Sequence, residues 1–134
     1  MAQDARRYHQ SMTHYLYREV AFNTPGIASA NTVEVGTLPQ GAQVLATSIA
    51  VTTAFNAGST NVLVVGIDTD DDALVAAGGV DETAVGVTRV VPATLAGKVA
   101  PSSNEIVYAR YTQTGTAASA GAATIVVEYV VNNG

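Results

Sequence analysis

From residue 47 to 55, Ile49, Val51, Thr53 and Phe55 alternate with Ser48, Ala50, Thr52 and Ala54, the period-two signature of a half-buried strand. The same alternation runs through 105–113, where Ile106, Tyr108 and Arg110 oppose Val107, Ala109 and Tyr111. It returns in 123–131, with Ile125, Val127, Tyr129 and Val131 against Thr124, Val126, Glu128 and Val130. Residues 62–67 are continuously apolar, as suits a strand covered on both faces. Segment 84–91 is β-branched, with Arg89 breaking one face, and shorter strands are predicted at 32–37 and 43–46. Near the N-terminus, Tyr15, Tyr17, Glu19 and Ala21 alternate with Leu16, Arg18, Val20 and Phe22, while Tyr8, Met12 and Tyr15 keep a helical spacing. We read an irregular arm up to Thr13 and a first strand over 14–22.

Turn chemistry separates these segments: Thr24-Pro25-Gly26, Leu38-Pro39-Gln40-Gly41, Asn56-Ala57-Gly58-Ser59, Gly78-Gly79, Pro101-Ser102-Ser103-Asn104 and Gly115 through Gly121. One stretch breaks the β pattern. Asp70-Asp71-Asp72 leads into Ala73-Leu74-Val75-Ala76-Ala77 before Gly78, and acids at the start with glycine at the stop predict a helical turn or two over 70–77. Seven or eight short strands with such punctuation predict an all-β protein, a jelly-roll-like antiparallel sandwich. We divide the chain into an N-terminal arm, 1–22, and a sandwich domain, 23–134.

Composition agrees. The 134 residues hold 20 Val against 6 Leu and a single Lys, the reverse of what a helical bundle wants. Charged residues make up 13%, about half the usual share, and the formal net charge is −5. Phosphate binding needs a dense basic face, and only three basic residues lie beyond residue 20, so no nucleic-acid partner is expected. There is no cysteine, which removes disulfides, thiolate metal sites and thiol nucleophiles. No signal-peptide pattern opens the chain, and no apolar window is long enough to span a bilayer; a cytoplasmically made protein without membrane contact is expected.

Candidate chemistry is sparse. Asp68, Asp70 and Asp72 alternate as calcium-loop carboxylates do, but Ala73 stands where an EF-hand needs its glycine and Gly79 where it needs its glutamate. Helix capping and solubilising charge explain the same acids, so no metal is expected. His9 and His14 are five apart, outside the spacing of a helical zinc pair. Glu105, Glu128, Asp81 and Glu82 could supply a glycosidase-like carboxylate pair, yet the chain has no Trp to stack a sugar. No nucleophile elbow, dinucleotide fingerprint or phosphate loop occurs. We expect no catalytic residue, no cofactor and no enzyme.

The segments Leu38-Pro39-Gln40-Gly41-Ala42-Gln43-Val44, Val51-Thr52-Thr53-Ala54-Phe55-Asn56-Ala57-Gly58 and Val65-Gly66-Ile67-Asp68-Thr69-Asp70-Asp71-Asp72-Ala73-Leu74 occur in that order. With the closing Ala122-Ala123-Thr124-Ile125-Val126-Val127-Glu128-Tyr129, they resemble small β-sandwich virion proteins of tailed bacteriophages, the head decoration, cement or minor capsid proteins. The resemblance covers about residues 32–131. It implies a non-enzymatic protein on the outer capsid surface, made in the host cytoplasm, partnered by the major capsid protein and trimeric. Phe55 reads as a core plug closing one end of the sandwich. Arg6, Arg7, Tyr8, Tyr15, Tyr17 and Arg18 have the composition of an interface and are the expected capsid or partner contacts. Two other readings compete: a calcium-dependent carbohydrate-binding sandwich built on Asp68–Asp72, and a head-fibre or tail-associated protein of the same fold.

Overall fold

The computed structural model describes residues 12–92 and 103–131. Eight strands follow one another: β1 (His14–Ala21), β2 (Val33–Leu38), β3 (Ala42–Thr53), β4 (Thr60–Ile67), β5 (Asp70–Val75), β6 (Gly86–Val90), β7 (Glu105–Thr114) and β8 (Ala122–Val131). They form two four-stranded antiparallel sheets, sheet A in the order β1-β8-β3-β6 and sheet B in the order β2-β7-β4-β5. In every case the first strand pairs with the eighth, the second with the seventh, the third with the sixth and the fourth with the fifth. That is one long hairpin rolled over on itself. The sandwich is a jelly roll.

Alternation along the strands builds the core between the sheets. Val44, Ile49 and Val51 of β3, Ile125 and Val127 of β8, Leu63 and Val65 of β4, and Val107 and Tyr111 of β7 are all buried. The predicted pieces 43–46 and 47–55 are one strand, β3, whose pairing with β8 shifts register between Val44 and Ala46 and again between Val51 and Thr53. The first of these shifts lets Ala46 and Thr47 both be buried. The strand ends at Thr53, so Phe55 lies in the following loop rather than on β3.

Two expectations need correction. Residues 70–75 are strand β5, not a helical turn, and no helix occurs among the described residues. The acids and the glycine do match a helix-capping pattern, but Ala73, Leu74 and Val75 are all buried, and the pairing of Val75 with Val65 decides the conformation. Gly66 makes room for it. A Cβ there would fall inside contact distance of the Asp70 and Asp71 backbone carbonyl groups, so only glycine lets β5 fold back this closely. The boundary at residue 22 also moves. β1 pairs with β8 along its whole length, from His14 opposite Tyr129 to Ala21 opposite Ala122, and Val20 is in the core. The sandwich therefore includes residues 14–21.

The turn read at Leu38-Pro39-Gln40-Gly41 behaves as its residues dictate. Ala42 N–H donates to the Pro39 carbonyl at 3.0 Å, and Gly41 takes a φ of 81°.

Candidate functional site

Among the residues expected to make contacts, Arg6, Arg7 and Tyr8 lie outside the described residues, as does His9. Tyr15, Tyr17 and Arg18 are set by β1, the outermost strand of sheet A. Tyr15 and Tyr17 occupy the outward phase of its alternation and are 62% and 60% exposed, with Met12 just before the strand at 59%. The Tyr17 hydroxyl donates to Glu19 Oε1 at 2.8 Å, and this bond holds the phenol above its ordinary range. Arg18 sits in the opposite phase with Leu16 and Val20. Its guanidinium donates to the Glu19 and Glu34 carbonyl oxygens at 3.3 and 3.5 Å, tying the edge of sheet A to β2 of sheet B. At the start of the strand, the His14 ring stacks on Tyr129 at 5.5 Å.

The acids of the β4–β5 turn do not act as one group. Asp68 accepts from the Asn31 side chain at 2.9 Å, and Asp71 pairs with Arg110 at 2.9 Å. The carboxylates of Asp70, Asp71 and Asp72 converge within 4.8 Å of one another, a different trio from the Asp68, Asp70 and Asp72 of the sequence pattern. Their crowding has a cost: a hydrogen bond with Asp70, then desolvation and the charges of Asp70 and Asp71, push the Asp72 carboxyl above its ordinary range. A calcium site occupied at a hundred times its dissociation constant would add about 2.7 kcal/mol. We expect calcium and chelator alike to leave the melting temperature unchanged, as a thermal melt in each would record.

The opposite end of the sandwich is closed by Phe55. Its ring is 1% exposed, lies 4.7 Å from the Tyr111 ring and covers the backbone of Gly121, where a Cβ would collide with it. Tyr111 in turn donates to Asn61 Oδ1 at 2.6 Å, so its polar tip is satisfied in a buried position. Burial, with the nearby Glu82 charge, raises the Tyr111 phenol above its ordinary range.

Glu82 completes this end, and nothing in the pattern marked it beyond its charge. It is buried, its carbonyl accepts from Phe55 N–H at 2.9 Å, and its Oε2 accepts from Leu63 N–H at 2.8 Å. The reason lies in β4. β5 pairs with that strand only at Val65 and Ile67, so the edge around Leu63 would otherwise be open, and the carboxyl stands in for a strand. Glu82→Ala should cost about 1–3 kcal/mol in a denaturant titration by stranding that N–H, and Glu82→Gln should recover most of it. The remaining acids weighed as a catalytic pair are separated by role. Asp81 accepts from Thr83 N–H and Oγ1 at 3.1 and 2.7 Å, and these bonds lower its carboxyl below the ordinary range. Glu128 pairs with Arg89 at 2.8 Å on the outer face of sheet A, and Glu105 opens β7 in sheet B.

No family model and no curated protein matches the chain. Solved structures do. A chain of the cyanophage Pam1 capsid asymmetric unit superposes with a TM-score of 0.67 at 20% identity, covering 91% of this chain and 86% of that one. A chain of the acidic stable capsid of Helicobacter pylori bacteriophage KHP30 gives 0.59 at 19% identity, covering 92% and 91%. A chain of the Ralstonia phage GP4 capsid gives 0.56 at 18%, covering 92% and 86%. The chain shares the fold of phage capsid proteins.

On this capsid-protein fold, sequence reasoning overlooked a second exposed apolar margin. Val85, Val87 and Val91 are 70%, 74% and 58% exposed along β6, the other outer strand of sheet A. The signal was present, since Val85, Val87, Arg89 and Val91 share one phase of the period-two pattern and Arg89 marks that phase as the wet one.

Proposed function

We propose that this is a non-enzymatic bacteriophage virion protein that decorates and stabilises the outer capsid surface as a homotrimeric cement protein, with the major capsid protein as its partner. The observation that carries the reading is the eight-strand jelly roll, shared over nine-tenths of the chain with chains of three phage capsids. Charge supports the outer position. A chain of net charge −5 is repelled by packaged DNA and tolerated outside the shell. Arg6, Arg7 and Tyr8 precede β1 in the sequence, and in this reading they supply the desolvated, charge-assisted contacts of a grip. Fully extended, 13 residues span about 45 Å, and three such segments on one trimer multiply weak contacts into stable attachment.

The test is co-sedimentation with undecorated capsids, followed by a map of the decorated particle. The full chain should add jelly-roll density outside the shell, and a chain lacking residues 1–11 should keep its fold and lose binding. Density inside the head or in the tail would overturn the outer-surface reading, and unimpaired binding by the shortened chain would place the grip in the sandwich.

A further inference from the structure

Six large apolar side chains stand out as exposed among the described residues, and they divide evenly between the two outer strands of one sheet. Met12, Tyr15 and Tyr17 line the β1 margin of sheet A, and Val85, Val87 and Val91 line the β6 margin. Three strand spacings, about 14 Å, separate them. Polar groups interrupt the ground between: Tyr17 lies opposite Val126, but Val126 lies opposite Ser48 and Ser48 opposite Arg89, which is paired with Glu128. These are two separate patches, not one apolar face.

Their charges are opposite. At the β6 margin a cleft of about 280 Å³ opens between β5 and β6, floored by Ala73, Leu74, Val90 and Val91 and rimmed by Asp70 and Asp72. It falls just below the roughly 300–1,000 Å³ typical of small-molecule sites, which suits a side chain with an aliphatic stem and a cationic head. Neither Asp70 nor Asp72 meets a cation among the described residues, and the raised Asp72 carboxyl reflects that crowding. At the β1 margin stands Arg18. Of the three described arginines it is the one without a carboxylate partner among the described residues, since Arg89 holds Glu128 and Arg110 holds Asp71.

We propose that the two margins are the two halves of one head-to-tail interface between copies of this chain. Met12, Tyr15 and Tyr17 of one copy pack on Val85, Val87 and Val91 of the next, and Arg18 faces the acid-rimmed cleft. A two-fold contact would set each margin against itself, acid rim on acid rim, and like charges across an interface oppose association. A head-to-tail contact matches tyrosine with valine and arginine with carboxylate, and it closes into a ring when the rotation allows. Closure at three rests on the trimer of the proposed function; the pairing of unlike margins does not. The assignment also divides the expected contact residues, giving Tyr15, Tyr17 and Arg18 to the neighbouring copy and leaving Arg6, Arg7 and Tyr8 for the shell.

The absence of cysteine makes the test clean. Tyr15→Cys and Val87→Cys should form disulfide dimers when mixed and few when oxidised separately, and the double variant should give a covalently closed trimer. Val87→Glu, with an unchanged circular dichroism spectrum, should weaken self-association about a hundredfold in sedimentation equilibrium. Arg18→Asp should weaken it about tenfold, with Asp72→Arg in the same chain restoring it; a purely structural Arg18 would show no such rescue. Efficient dimerisation of Tyr15→Cys alone, or an assembly indifferent to Val87→Glu, overturns the proposal. Rings that ignore capsids would sink the virion reading and leave this interface standing. A Val87→Glu protein that stays fully assembled and still binds capsids would do the reverse.

Discussion

Removing residues 1–21 should abolish cooperative folding. The cut deletes β1, which takes Val20 out of the core, lifts Leu16 off its margin and leaves β8 with β3 as its one strand partner, its other edge open from Ala122 to Tyr129. Burial of two such side chains stabilises by about 1.5–3 kcal/mol each, before the lost ladder is considered. Stability at this size is about 5–15 kcal/mol, so the deletion removes much of it and exposes a strand edge that invites aggregation. Circular dichroism and a thermal melt would check this: a broad, non-cooperative transition or insoluble protein is the expected outcome. A sharp melt with full β signal would mean that the sandwich closes without β1. The comparison chain lacking only residues 1–11 keeps every described strand, and its melt should match that of the full chain.

Phe55→Ala should lower stability by about 3–5 kcal/mol, through lost transfer energy and the cavity left behind. At this chain length that corresponds to a fall of about 10–20 °C in melting temperature. The cavity would be hard to refill. Tyr111 is held by its bond to Asn61, Gly121 offers only backbone, and the loop carrying Glu82 is tied to β4 through Leu63 N–H. Phe55→Leu, which restores most of the volume, should recover much of the loss. A Phe55→Ala protein as stable as the parent would show that the ring contributes little to closing this end.

The loops at this end are also bound to one another. Asn56 Oδ1 accepts from Ser119 and Ala120 N–H at 2.8 and 3.0 Å, and Gly58 N–H reaches the Thr116 carbonyl at 2.8 Å. The turn residues Asn56 and Gly58 were legible as punctuation. That their partners lie some sixty residues away was not.

What the sequence determined by itself is the set of strands. Period-two runs at 14–22, 47–55, 105–113 and 123–131, the continuous apolar run at 62–67 and the β-branched segment 84–91 each became a strand, because burial of a pleat on one face or both leaves its pattern in the residues that form it. Composition added the class, all-β, and the absence of thiol chemistry. Tertiary structure decided the remainder. Residues 70–75 carry a helix-start signal locally, and only the pairing of Val75 with Val65, permitted by the bare Gly66, makes them a strand. Glu82 looks like any surface acid until the open edge of β4 calls for an acceptor. Likewise Tyr15, Tyr17, Val85 and Val87 are ordinary strand residues in one dimension. That they mark opposite margins of the same sheet follows from the rolling of the hairpin, because strand order is a property of long-range pairing and no local pattern encodes it.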